Sequence, residues 1–147
     1  MSKYFAAFAL ALVVLGCKTT NEGKPSVADN SATSVSPSPN LLGVPEVKEL
    51  VQHNAATVVD ANGPDIRQSM GIVPGALLLS NSHDYALSEL PPSKATKLVF
   101  YCGGEQCRAS DSAAARALQA GYTDVNVMRA GIRGWKDAGQ STQLPRS

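Results

Sequence analysis

Charge of one sign is scarce in this chain. Over 147 residues, 13 Lys and Arg stand against 12 Asp and Glu, and setting aside the first 16 residues removes only Lys3, which leaves 12 of each sign. A composition so balanced does not encode the basic face that holds nucleic acid, so no nucleic-acid partner is expected. Cysteine is scarce as well: the three, Cys17, Cys102 and Cys107, leave no paired spacing across the fold for the disulfide framework that staples small secreted domains. His53 and His83 stand at no metal-ligand spacing from each other or from the cysteines, so both are read as surface residues and no metal or cofactor is expected. There are no internal repeats, and the length holds one small domain.

What is present begins at the N-terminus. Lys3 precedes an unbroken apolar run of 12 residues, 4–15, too short for a bilayer that needs about 20. It has the form of a signal-peptide core, so residues 1–16 are expected to be an export signal. Val14-Leu15-Gly16-Cys17 resembles the lipobox of bacterial lipoproteins, whose Cys is diacylated on sulfur and becomes the mature N-terminus. Leu15 occupies a place where that family usually has a small residue. Lys18 after the Cys resembles Gram-negative lipoproteins sorted to the outer membrane. The resemblance implies a lipid-anchored protein of the bacterial cell envelope, facing the periplasm. Residues 18–40 contain no Leu, Ile, Phe, Tyr or Trp, so they have nothing to bury, and residues 17–40 are expected to form a disordered tether. A flexible coil of that length reaches about 25–30 Å.

From residue 41 onward the pattern alternates between strand and helix. Pro45-Glu46-Val47-Lys48-Glu49-Leu50-Val51 puts Val47, Leu50 and Val51 on one face of a short helix, with Pro45 suited to the first turn and Glu46 to the positive end of the dipole. Thr57-Val58-Val59-Asp60, stopped by Asn62-Gly63-Pro64, has the continuous apolar style of a buried parallel strand. Ala76-Leu77-Leu78-Leu79, Lys97-Leu98-Val99-Phe100-Tyr101 and Val125-Asn126-Val127-Met128 share it. Residues 110–120 carry cap formers first, strong helix formers within and Gly121 behind, so a strand, a loop, a helix and a strand make a βαβ unit.

The loop Cys102-Gly103-Gly104-Glu105-Gln106-Cys107-Arg108 runs from the carboxyl end of a strand to a helix N-terminus, where open α/β sheets place their ligand sites. Adjacent glycines let the backbone turn successive N–H groups into a common cradle, and a helix start near Ala109 or Ser110 adds more. Such surroundings lower a cysteine pKa from about 8.5 into the range of about 3.5 to 7.5 and suit a persulfide anion equally. Cys102 is therefore the candidate nucleophile. Arg108 is a candidate contact for an anionic donor, and Cys107 either resolves a sulfenate or persulfide on Cys102 or is a small loop residue. Glu105 is a candidate for tuning selectivity, and Trp135 reads as a core or rim aromatic.

Here the residues resemble a known family, the single-domain rhodaneses, over about residues 41–140. Val58-Val59-Asp60 resembles the first strand and its Asp, and Gly71-Ile72-Val73-Pro74-Gly75-Ala76 the Gly-His-Ile-Pro-Gly-Ala signature. Tyr101-Cys102 resembles the opening of the active loop. Gly121-Tyr122 and Ala130-Gly131-Ile132-Arg133-Gly134-Trp135 resemble the elements that follow. The resemblance implies a rhodanese-like α/β domain over residues 41–147, with a mostly parallel sheet and helices on both faces. It also implies a sulfurtransferase that moves a sulfane sulfur from a donor such as thiosulfate, through a Cys102 persulfide, to a thiol or cyanide acceptor. The chain is expected to act as a monomer, with the membrane met through its lipid anchor.

Three departures accompany the match. Asn62 stands where the family commonly has an Arg, Ile72 replaces a His, and the loop is Cys-x5-Arg instead of Cys-x4-Arg. The longer loop resembles that of dual-specificity phosphatases and arsenate reductases of the same fold, where the cradle takes a tetrahedral oxyanion. That enzyme class and a non-catalytic binding or redox-sensing module are the alternatives.

Overall fold

The computed structural model describes residues 37–146. The expected export signal, Cys17 and the tether up to residue 36 lie outside the described residues. Among the described residues no helix is long and apolar enough to cross a membrane.

The elements run β1 (Asn40–Leu41), α1 (Val44–Gln52), β2 (Thr57–Asp60), α2 (Pro64–Met70), β3 (Leu77–Leu78), a 3-10 turn (Leu87–Glu89), β4 (Leu98–Tyr101), α3 (Ala109–Gln119), β5 (Val125–Met128) and α4 (Gly131–Asp137). The five strands form one sheet in the order β1-β5-β4-β2-β3, every pair parallel. β4 lies centrally, with Tyr101 level with Asp60 on one side and Met128 on the other. The carboxyl ends of three strands thus finish together, directly below the cysteine loop.

Strand alternation sends side chains to two cores. Val59, Leu98, Phe100, Val125 and Val127 pack with Ala113, Ala114 and Ala117 of α3. Val58, Val99, Tyr101 and Met128 pack with Val47 of α1 and with Ile132 and Trp135 of α4. Burial on both faces is why these strands read as continuous apolar runs. Leu50 and Val51 join the second core beside Val47, as the spacing predicts.

Local chemistry sets the ends of the helices. The Glu46 carboxylate accepts from the Gly43 amide at 2.6 Å, capping α1. α3 closes with Gly121 at φ +90°, its amide donating to the Leu118 carbonyl and that of Tyr122 to the Ala117 carbonyl, a Schellman pairing.

Four elements go beyond the sequence pattern. Asn40, assigned to the tether, pairs with Asn126 as the first residue of β1. The breaker cluster at Asn62-Gly63-Pro64 opens α2, whose residues are nowhere buried and so carry no apolar period. α4 contains Gly131 and Gly134, poor helix formers kept for packing. The strand expected at 76–79 narrows to Leu77–Leu78, half-buried at the sheet edge.

Candidate active site

Cys102 follows β4 without a spacer, and the loop from 103 to 108 returns to start α3 at Ala109. The loop is pinned from below. Ile132 and Arg133 at the head of α4 donate their amides to the carbonyls of Cys102 and Gly103, at 2.8 and 3.2 Å. Gly131, at φ +62°, lets the two segments touch: a Cβ there would stand 2.6 Å from the Gly104 nitrogen and 2.8 Å from the Gly103 carbonyl carbon. With the carbonyls held on that side, the amides of Gly103, Gly104, Glu105 and Gln106 are spent on no acceptor among the described residues.

The Cys102 side chain is 1% exposed, and its sulfur lies 3.3 Å from the Ser110 hydroxyl in the first turn of α3. Its sulfur is also paired with that of Cys107 as a disulfide, the Cα atoms 6.3 Å apart. The Cys107 amide donates to the Gly104 carbonyl at 2.9 Å, a turn that folds the second cysteine back over the first.

Beside the loop lies a cavity of about 550 Å³, lined by Gly103, Gly104, Glu105, Gln106 and Cys107 and, across from them, by Ala130, Arg133, Gly134 and Asp137. Cys107 reaches this cavity and Cys102 lies behind it. Arg108 is outside the lining, 74% exposed, with its guanidinium 3.3 Å from the Asp111 carboxylate. The same carboxylate is gripped by Arg129 at 2.6 and 3.0 Å. The cationic residue lining the cavity is therefore Arg133, which the sequence reading passed over inside the Gly-Ile-Arg-Gly-Trp motif. Ser110 was also missed as a neighbour of the sulfur, because its relation to Cys102 arises from the loop's return.

Under the loop sits a buried polar group. Asp60, at the end of β2, accepts from the Asn62 amide at 2.6 Å, from the Tyr101 hydroxyl and from Arg67 Nε at 3.4 Å. Arg67 Nη2 bridges the Asp60 and Leu79 carbonyls, each at 2.9 Å. The Tyr101 hydroxyl in turn accepts from the Val73 amide at 3.0 Å, and its pKa is pushed up by burial, by the Asp60 charge and by its hydrogen bond to that carboxylate. Asn62 stands where the family commonly has an Arg, and the guanidinium on Asp60 in this chain comes from α2. Ile72 is buried and its backbone pairs with that of Gln143 in an antiparallel bridge, so a buried apolar side chain stands where the family usually has a His. Asn62 itself is buried beneath Gly103, with its side-chain nitrogen unpartnered among the described residues.

His53 and His83 are exposed, and among the described residues no cluster of His, Cys, Asp and Glu has metal-binding geometry. Trp135 is a core residue whose indole N–H donates to the Ser141 carbonyl at 2.8 Å.

A family model of the rhodanese-like domain matches residues 44–138. The chain belongs to the rhodanese-like family. Solved structures agree on the fold. A possible tyrosine phosphatase from Rhodopseudomonas palustris is 24% identical, with a TM-score of 0.60, over 71% of this chain and 85% of its own. A polysulfide-sulfur transferase from Wolinella succinogenes is 20% identical, with a TM-score of 0.58, over 74% and 80%. A human single-domain sulfurtransferase is 20% identical, with a TM-score of 0.55, over 69% and 97%. Among curated proteins no match is found. At these identities the likeness establishes the rhodanese-like architecture, and within it the cysteine loop of this chain occupies the end of the central strand.

Proposed function

We propose that this rhodanese-like chain is a sulfurtransferase whose Cys102 takes a sulfane sulfur from a donor such as thiosulfate and passes it to a thiol or to cyanide. The observation that carries the reading is the placement of Cys102 at the carboxyl end of β4, under a loop whose carbonyls are tied to α4 and whose amides remain unspent. In the dithiol form the Cys102 thiolate attacks the outer sulfur of thiosulfate, a Cys102 persulfide forms, and sulfite departs with the electron pair of the broken S–S bond. Attack by cyanide or a thiolate on the terminal sulfur then returns Cys102. Unspent amides stabilise the persulfide anion in the way preorganised donors stabilise developing charge, each worth roughly 3 kcal/mol.

The oxyanion reading draws on the Cys-x5-Arg spacing. Against it, Arg108 is engaged with Asp111 outside the cavity, and the cavity lining holds one cationic residue, Arg133, beside two acids, Glu105 and Asp137. Those acids disfavour a dianionic phosphate or arsenate and leave thiosulfate a weak donor, so turnover with it is expected to be modest.

Intact-mass measurement of the reduced Cys107→Ser chain, whose Cys102 has no neighbouring thiol, after thiosulfate tests the proposal. One added sulfur atom, mapped to Cys102 and absent in Cys102→Ser, is expected. No added sulfur on Cys102, or aryl-phosphate hydrolysis or arsenate reduction outrunning thiocyanate formation and dependent on Cys102 and Arg108, overturns it.

A further inference from the structure

A buried cysteine paired with a second one that lines the cavity asks for a reaction that uses both. We propose that Cys107 is the resolving thiol of this site, so that the chain reduces sulfane sulfur to sulfide; the proposal rests on the sulfurtransferase reading above. After Cys102 carries a persulfide, the Cys107 thiolate attacks Cys102 Sγ. The bond between Cys102 Sγ and the terminal sulfur breaks, the Sγ–Sγ bond forms, and the terminal sulfur leaves as hydrosulfide with its proton and the bonding pair. The two cysteines are oxidised by two electrons and the departing sulfur is reduced by two. With thiosulfate as donor, one thiosulfate and two thiols give one disulfide, one sulfite and one hydrogen sulfide. A dithiol, such as a reductase of the thioredoxin chemical class, then opens the disulfide and closes the cycle.

Three observations carry this. The sulfurs of Cys102 and Cys107 are paired, with a Cα separation of 6.3 Å that falls inside the range disulfides adopt. The approach is built into the backbone: the α4 amides fix the carbonyls of Cys102 and Gly103, and the turn from the Cys107 amide to the Gly104 carbonyl swings Cys107 over Cys102. Exposure also divides the labour. Cys102 is 1% exposed, which hinders a bulky outside acceptor, whereas Cys107 is half-buried and lines the cavity by which a reductant would arrive. A structural staple explains the pair poorly. The bond spans a sequence separation of 5, so it removes little freedom from the unfolded chain, and α4 already holds the loop.

The test uses the full chain in a Cys17→Ser background, so that only the two loop thiols are present. The protein is reduced, freed of reductant under anaerobic conditions, and given one equivalent of thiosulfate with no acceptor. The parent chain is expected to release sulfite and sulfide in equal amounts and to lose two hydrogens in mass, with a peptide linked between Cys102 and Cys107. Cys107→Ser is expected to release sulfite, keep one added sulfur, and yield sulfide at least about tenfold more slowly; later cyanide should convert its added sulfur to thiocyanate. A parent chain that keeps the added sulfur, or a Cys107→Ser variant that releases sulfide at the parent rate, overturns the resolving role and leaves the sulfurtransferase reading standing. Neither sulfite nor added sulfur in either protein overturns the sulfurtransferase reading itself.

Discussion

Asp60 and Arg67 form a buried charge pair at the end of β2. The Asp60 carboxylate is fully buried, and Arg67, with a side chain 11% exposed, is the cation that reaches it. Removing one partner of a buried pair leaves an uncompensated charge, whose cost exceeds any net gain the pair supplied. Arg67→Ala is therefore expected to lower unfolding stability by about 3 kcal/mol, and Arg67→Lys should recover little of it, since one ammonium cannot donate to Asp60 and to the Asp60 and Leu79 carbonyls in the guanidinium's geometry. Urea denaturation checks this; a loss below about 1 kcal/mol would mean that the Tyr101 hydroxyl and the Asn62 amide suffice for the carboxylate. At the same scale, Cys102 was legible in the sequence because a nucleophile after a strand and before glycines is a local pattern. Arg133 and Ser110 were not, because each meets the loop only after the chain has crossed the sheet.

Among the elements, α4 matters most to the site for its size. Its first residue, Gly131, combines φ +62° with close contact to the loop backbone. Gly131→Ala meets two costs together: the left-handed backbone, about 1–2 kcal/mol for a residue with a Cβ, and a clash that backbone must move to relieve. Because the displaced backbone is that of Gly103 and Gly104, thiocyanate formation is expected to fall by more than about tenfold, beyond what lost folding explains. A melting curve beside a kinetic assay separates the two effects; full activity in a destabilised variant would show that the loop tolerates movement. Gly134→Ala offers no such specific test, since its added carbon would face the Ala130 side chain. The short elements β1, β3 and α2 were the least legible, being too short or too exposed to impose a hydrophobic period.

Over the whole molecule, two cores on opposite faces of one sheet are each closed by a buried tyrosine. Tyr85, whose hydroxyl donates to the Ala113 carbonyl at 2.9 Å, has its pKa pushed up to about 12 by burial, with Arg116 pulling the other way. Tyr101 is raised by its burial and by Asp60. The folded chain keeps both phenolic protons above about pH 10, where an unfolded chain releases them, so their stabilisation is complete below about pH 10 and fades as pH climbs toward 12. The urea midpoint should fall between pH 9 and pH 11 by less in Tyr85→Phe than in the parent chain, lysine titration being common to both; equal slopes would contradict the assignment. At the other end of the chain, we propose that a lipidated Cys17 tethers the domain to the outer membrane, facing the periplasm. Cys17→Ser should release the chain from membranes or block its processing, and unchanged fractionation with normal cleavage would refute the anchor.

The strand-and-helix alternation, the pattern of two buried faces, the parallel sheet and Cys102 directly after a strand were all determined by the sequence alone. Each follows from neighbouring residues: β-branched runs buried on both sides, breakers between them, and a cysteine set against paired glycines. Tertiary structure decided that β4 is central, that Arg67 pairs with the buried Asp60, that Arg108 turns to Asp111 while Arg133 lines the cavity, and that Cys107 rests on Cys102. These are meetings of elements and of their side chains, and they depend on how strands register and helices seat, which no short stretch of sequence contains.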